Sequence, residues 1–119
     1  MRGWHVSGTL AALALMTAAP AVVSAEEIFF PSLVYRSGAY APNGIPWANG
    51  IADYVAMLND RDGGIEGVPI KLEECETGYA TDRGVECYER LKAQGTGAVA
   101  FSPLSTGITF ALTEKAPGD

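Results

Sequence analysis

Histidine is nearly missing from this chain. The single one, His5, stands in the N-terminal head. Beyond it, imidazole cannot serve as a general base, and a zinc site of mixed Cys and His ligands is excluded. Cysteine is scarce too. Cys75 and Cys87 are the only two, and they are not spaced as a redox pair or a metal site. No GxSxG, P-loop or GxGxxG pattern occurs. An α/β enzyme, hydrolytic or thiol-based, would therefore lack a nucleophile paired with a base. Basic residues are outnumbered, 8 against 14 acidic, for a formal charge of −6. That balance argues against nucleic acid and against an anionic membrane surface as partners. Long apolar runs are also absent. Leu10–Met16 is apolar, but Pro20 follows soon after, and the run is too short to span a bilayer comfortably, which favours a cleaved signal over the alternative of a membrane anchor.

What is present at the N-terminus reads as a secretory signal peptide over residues 1–25. Arg2 and His5 form a weakly basic head, Leu10–Met16 the apolar core, and Val22-Val23-Ser24-Ala25 a small-residue cleavage site. Cleavage is expected after Ala25. It removes one basic side chain and no acidic one, so the charge moves from −6 to −7. In an exported chain, an even cysteine count suggests a disulfide.

Ile28–Val34 is a short apolar run without clean alternation, as expected of a strand buried on both faces. Pro31 removes a ladder donor, so a bulge or an early strand boundary is expected there. Ser37–Gly44 is a loop by its Gly, Pro and Asn content. From Pro46 to Leu58 the residues Trp47, Ile51, Tyr54, Val55 and Leu58 recur at helical spacing, with Pro46 in the first turn. The Trp47 and Tyr54 stripe reads as core. Asn59–Gly67 is a helix-to-strand turn, since Gly63 or Gly64 can take the left-handed conformation that ends a helix.

Val68–Cys75 alternates and predicts a strand near a sheet edge. After the turn Thr77-Gly78-Tyr79, Thr81 or Asp82 can cap a helix that carries Val85, Tyr88 and Leu91 inward. Gly95-Thr96-Gly97 ends it, and Ala98–Phe101 predicts a third strand. Ser102–Gly107 then leads into a helical pattern with Ile108, Ala111 and Leu112 on one face. The order is β-α-β-α-β-α. It predicts an α/β fold of three layers, a parallel sheet with helices on both faces. Three short strands leave open edges and a thin core, so the chain is expected to be a fragment of something longer.

The motifs in this order resemble the start of the type I periplasmic binding proteins, in the branch that binds branched-chain amino acids and amides for ABC importers. They are Ser-Gly-x-Tyr-Ala-x-x-Gly after the first strand, Asn-x-x-x-Gly-Gly-Ile-x-Gly at the helix end, Val-Pro-Ile opening the second strand, and Ser-x-x-Ser-Thr before the last helix. The resemblance covers residues 26–115. It implies two α/β lobes that close on a ligand, with residues 26–119 the N-terminal part of the first lobe. It also implies that the loop after the third strand meets the ligand carboxylate. Ser105 and Thr106 match those positions, with Leu104 beside them. A helix N-terminus suits an anion, but Ser105 is equally an N-cap, and the two roles can coexist.

Tyr40 and Asn43 match the first loop, at the cleft border; Tyr40 either packs on a ligand or covers the domain edge. Tyr79 lies in the second such turn. Many family members pair a cysteine near the second strand's end with one after the third strand. None stands there here, so a Cys75–Cys87 bridge is local or absent. No cofactor is implied. The implied partners are an amino acid or amide ligand such as leucine or urea, and a membrane permease and ATPase met through a full-length protein. A sensor or receptor domain of the same fold, and a fragment without activity of its own, are the alternatives.

Overall fold

A computed structural model describes residues 26–119, so the signal-peptide reading of residues 1–25 lies outside the described residues. The elements are β1 (Ile28–Val34), α1 (Ala41–Asp62), β2 (Ile70–Glu76), α2 (Thr81–Leu91) and α3 (Thr106–Leu112), with a final 3₁₀ turn at Ala116–Gly118. β1 and β2 are parallel, in register from Ile28 beside Ile70 to Val34 beside Glu76. The two parallel strands are flanked by helices.

Alternation along β1 divides the molecule. Phe29 and Leu33 point to one face, where they join Cys75, Cys87, Tyr88, Leu91, Ile108 and Leu112 in a closed core under α2 and α3. Ile28 and Phe30 point to the other face, toward α1. The Cys75–Cys87 disulfide lies within the closed core and ties the end of β2 to α2, with 6.0 Å between Cα atoms. The even cysteine count and the local pairing are thus realised.

The third strand is not continuous. The segment 98–102 touches β1 only at two parallel bridges, Phe29 with Ala98 and Ser32 with Ser102. Pro31 is the physical reason. Leu33 N–H donates to the Ser102 carbonyl at 2.9 Å, and Ser102 N–H donates to the Pro31 carbonyl at 3.2 Å. Odd residues of β1 therefore face this segment, and the donor due at position 31 does not exist. β1 itself runs through Pro31 without a bulge or an early end, in unbroken register with β2. The cost of the proline falls on the neighbouring ladder instead.

α1 begins earlier and ends later than its apolar stripe. Its first turn contains Pro42, and Pro46 stands inside the helix. The helix stops at Gly63, whose φ is 70°; the N–H groups of Gly63 and Gly64 donate to the carbonyls of Asn59 and Leu58. Gly64 has a φ of 97°, and a Cβ there would lie 1.9 Å from the Val68 carbonyl oxygen. The turn is thus closed to any side chain at that position. Asn59 then completes the edge of β2. Its side-chain nitrogen donates to the Ile70 carbonyl at 2.7 Å, and its side-chain oxygen accepts from Ile70 N–H at 2.8 Å. One amide stands in for a missing neighbour strand.

The Trp47 and Tyr54 stripe is not core. Trp47 is 57% and Tyr54 59% exposed. With Phe30, Ile51, Ile70 and Val99 they line an open apolar groove of about 670 Å³ between α1 and the sheet. Helical spacing identifies a shared face, and here that face is only partly covered.

Candidate functional site

A parallel strand followed by a helix puts its loop at the carboxyl end of the sheet, where open α/β folds hold ligands. Three such loops occur here: 35–40, 77–80 and 103–105. The first two are bound together. Thr77 N–H and hydroxyl both donate to the Val34 carbonyl, at 2.8 and 3.0 Å. Glu76 then clamps the loops. Its carboxylate accepts from the Arg36 N–H at 2.8 Å, the Gly78 N–H at 2.8 Å and the Ser37 hydroxyl at 3.0 Å. Partial burial alone would raise its pKa, but these donors outweigh it and hold the carboxyl below its ordinary range. The Arg36 guanidinium is anchored in turn, with Glu74 at 2.7 and 2.8 Å and Asn49 at 2.7 Å.

Tyr40 is the residue capping α1, and it is exposed. Its ring lies 4.5 Å from that of Tyr79, and Tyr79 lies 4.9 Å from Tyr35. The structure therefore brings Tyr40 and Tyr79 together. Asn43 is not in a loop: it occupies the first turn of α1, exposed, with its N–H donated to the Tyr40 carbonyl. Ala41 begins the helix because Pro42 fits its first turn, which shortens the loop predicted over Ser37–Gly44.

Ser105 is the N-cap of α3. It is buried and extended, and its hydroxyl oxygen accepts from Ile108 N–H at 3.4 Å. Thr106 beside it is exposed, and Leu104 is half-buried with a φ of 47°. The expected cap of α2 fails. Ala80 holds the N-cap position, without a side-chain cap bond. Thr81 packs instead against the first turn of α3, where a Cβ on Gly107 would approach its hydroxyl to 2.7 Å.

Three non-glycine residues among those described hold a left-handed backbone: Glu66 at φ 53° in the turn before β2, and Tyr79 at φ 67° and Leu104 at φ 47° in the loops at the carboxyl end of the sheet. Sequence reading overlooked Tyr35, Arg36 and Glu76. Parallel register offered a signal for them, since Tyr35 follows Val34 and Val34 lies level with Glu76. Among the described residues, no group of three or more His, Cys, Asp or Glu side chains is placed to hold a metal ion.

The sequence profile of the periplasmic binding protein family matches residues 27–119. A solved structure described as an ABC transporter permease from the Pseudomonas fluorescens group is 38% identical, with a TM-score of 0.74 over 80% of this chain and 23% of that one. A fatty acid ABC transporter substrate-binding protein from Thermomonospora curvata shares the fold, with a TM-score of 0.66 and 23% identity over 81% of this chain and 24% of its own. The chain thus spans about a quarter of the length of these solved structures. No curated protein matches it. The fold and these relatives are those of binding and transport proteins, not of catalysts. The chain belongs to the periplasmic binding protein family.

Proposed function

We propose that this chain is part of the substrate-binding component of an ABC importer, and that it forms the N-terminal part of the first of two lobes. Its ligand is an amino acid or a related amide, taken at the carboxyl end of the sheet. Ser105 and Thr106, with Leu104, meet the ligand's carboxylate or carbonyl through hydroxyl and backbone donors. Tyr40, Asn43 and Tyr79 border the same site. The chain is exported, with residues 1–25 removed after Ala25, and works in the periplasm. Permease and ATPase subunits are met through a longer protein that supplies the second lobe.

One observation carries the reading: left-handed φ values at Tyr79 and Leu104, bulky residues in two loops at the same end of the sheet. Strain of this kind persists where the surroundings impose it, and it concentrates at ligand-binding loops. The test is thermal denaturation of a protein carrying both lobes, with leucine, valine, isoleucine and urea. A ligand at a hundred times its Kd should add about 2.7 kcal/mol of stability. No shift with any of these solutes would rule out the amino-acid and amide reading.

A further inference from the structure

The loops after β1 and β2 offer a ligand few free polar groups. The Glu76 carboxylate is occupied by Arg36, Gly78 and Ser37, and the Arg36 guanidinium by Glu74 and Asn49. What remains on offer is aromatic. Tyr35 meets Tyr79 edge-on at 82°, Tyr79 meets Tyr40 at a tilt of 40°, and the outer ring, Tyr40, is 53% exposed. The backbone makes one concession at this series: Tyr79 takes a left-handed φ of 67°. None of the three tyrosines belongs to the buried core cluster.

We propose that the Tyr35–Tyr79–Tyr40 series selects a ligand bearing an aromatic ring, with Tyr40 as the residue the ring packs on. The inference rests on the ligand site proposed above. A fourth ring extends an edge-to-face and tilted series that already exists, and it gains a quadrupole-directed contact beyond its area. An aliphatic side chain gains the area alone. An amide the size of urea leaves the Tyr40 ring uncovered.

The test is a nuclear magnetic resonance titration of a protein carrying both lobes, following the backbone amides of this chain's residues with L-phenylalanine, L-leucine and urea as probes. Phenylalanine should shift Tyr40 and Tyr79 together with Ser105 and Thr106, and half-saturate at a concentration about threefold to tenfold below that of leucine. Tyr40→Leu should erase that preference and Tyr40→Phe should keep it. Because Tyr40 is exposed, neither change threatens the fold. Equal half-saturation by leucine and phenylalanine, or a preference that survives Tyr40→Leu, would overturn the aromatic selection while leaving the ligand site in place. If no probe shifts any of these four residues, the ligand-site reading falls, and this inference with it.

Discussion

The two faces of this small sheet differ in how far they are closed. Under α2 and α3, Leu91 and Ile108 are fully buried and a disulfide crosses the layer. Under α1, the aromatic residues Trp47 and Tyr54 are more than half exposed along an open groove, and Val99 is 73% exposed at its rim. Both helical layers have apolar stripes of ordinary spacing. The difference lies in what stands opposite the stripe. α2 and α3 pack on each other as well as on the strands, whereas α1 has only the strands and a broken third segment. An apolar pattern tells that a face is suited to burial; it does not tell that a partner is present to bury it.

The contrast is open to a direct break. Ile108→Ala removes a fully buried side chain from the closed face and should cost about 2–5 kcal/mol. Tyr54→Ala, on the open face, should stay within about 1 kcal/mol. Urea unfolding of the two variants measures both. Equal losses would mean that the open face is covered in solution.

The disulfide sharpens the same comparison. Reducing Cys75–Cys87 should cost about 3 kcal/mol in the chain-entropy model. It should also loosen amide protection in α2 before α1, as hydrogen exchange would show. Without reductant, a thiol reagent in denaturant should label nothing. Labelling of both cysteines would remove the bridge from the account.

Two glycines give a smaller effect of opposite sign. On the closed face a Cβ at Gly84 would lie 2.4 Å from the Ile108 side chain, so Gly84→Ala should destabilise by about 1–3 kcal/mol. On the open face Gly50 lies within α1 with nothing inside 4 Å of its would-be Cβ. Gly50→Ala should therefore stabilise by about 0.5–1 kcal/mol through helix propensity. Melting temperatures moving in the same direction would refute the assignment of faces.

The smallest effect belongs to Glu76, which closes the loop end shared by both faces. Its folded pKa lies below the ordinary 4.5. The stability it contributes is therefore present above that value and is lost as pH falls from there through the folded pKa. Glu76→Gln should flatten the acid limb of the stability curve below about pH 4.5 and change the neutral region less. An unchanged acid limb would show that the clamp is not electrostatic.

Much of the fold was legible in sequence because its signals are local. Glycine chemistry located the turn after α1, and Gly63 and Gly64 do adopt positive φ. Ser105 as the cap of α3 follows from its short acceptor side chain. Pro31 was recognised as a missing donor. Which ladder would lose it was not legible, because that depends on the neighbour each residue faces. The candidate site was half legible. Tyr40, Tyr79, Ser105, Thr106 and Leu104 stand in or beside loops at the expected end of the sheet. Asn43 lies in a helix because α1 starts at Ala41, with Pro42 in its first turn, and not at Pro46.

By itself, the sequence determined the order of elements apart from the third strand, and the glycine turn that ends α1, since each rests on backbone freedom or residue spacing. Tertiary structure alone decided which apolar stripe is closed, that Asn59 serves as a strand partner for Ile70, and that Tyr79 meets the rings of both Tyr35 and Tyr40. Those outcomes depend on distances between elements. Such distances arise only when strands in register bring loop ends to the same height, and no local preference encodes that.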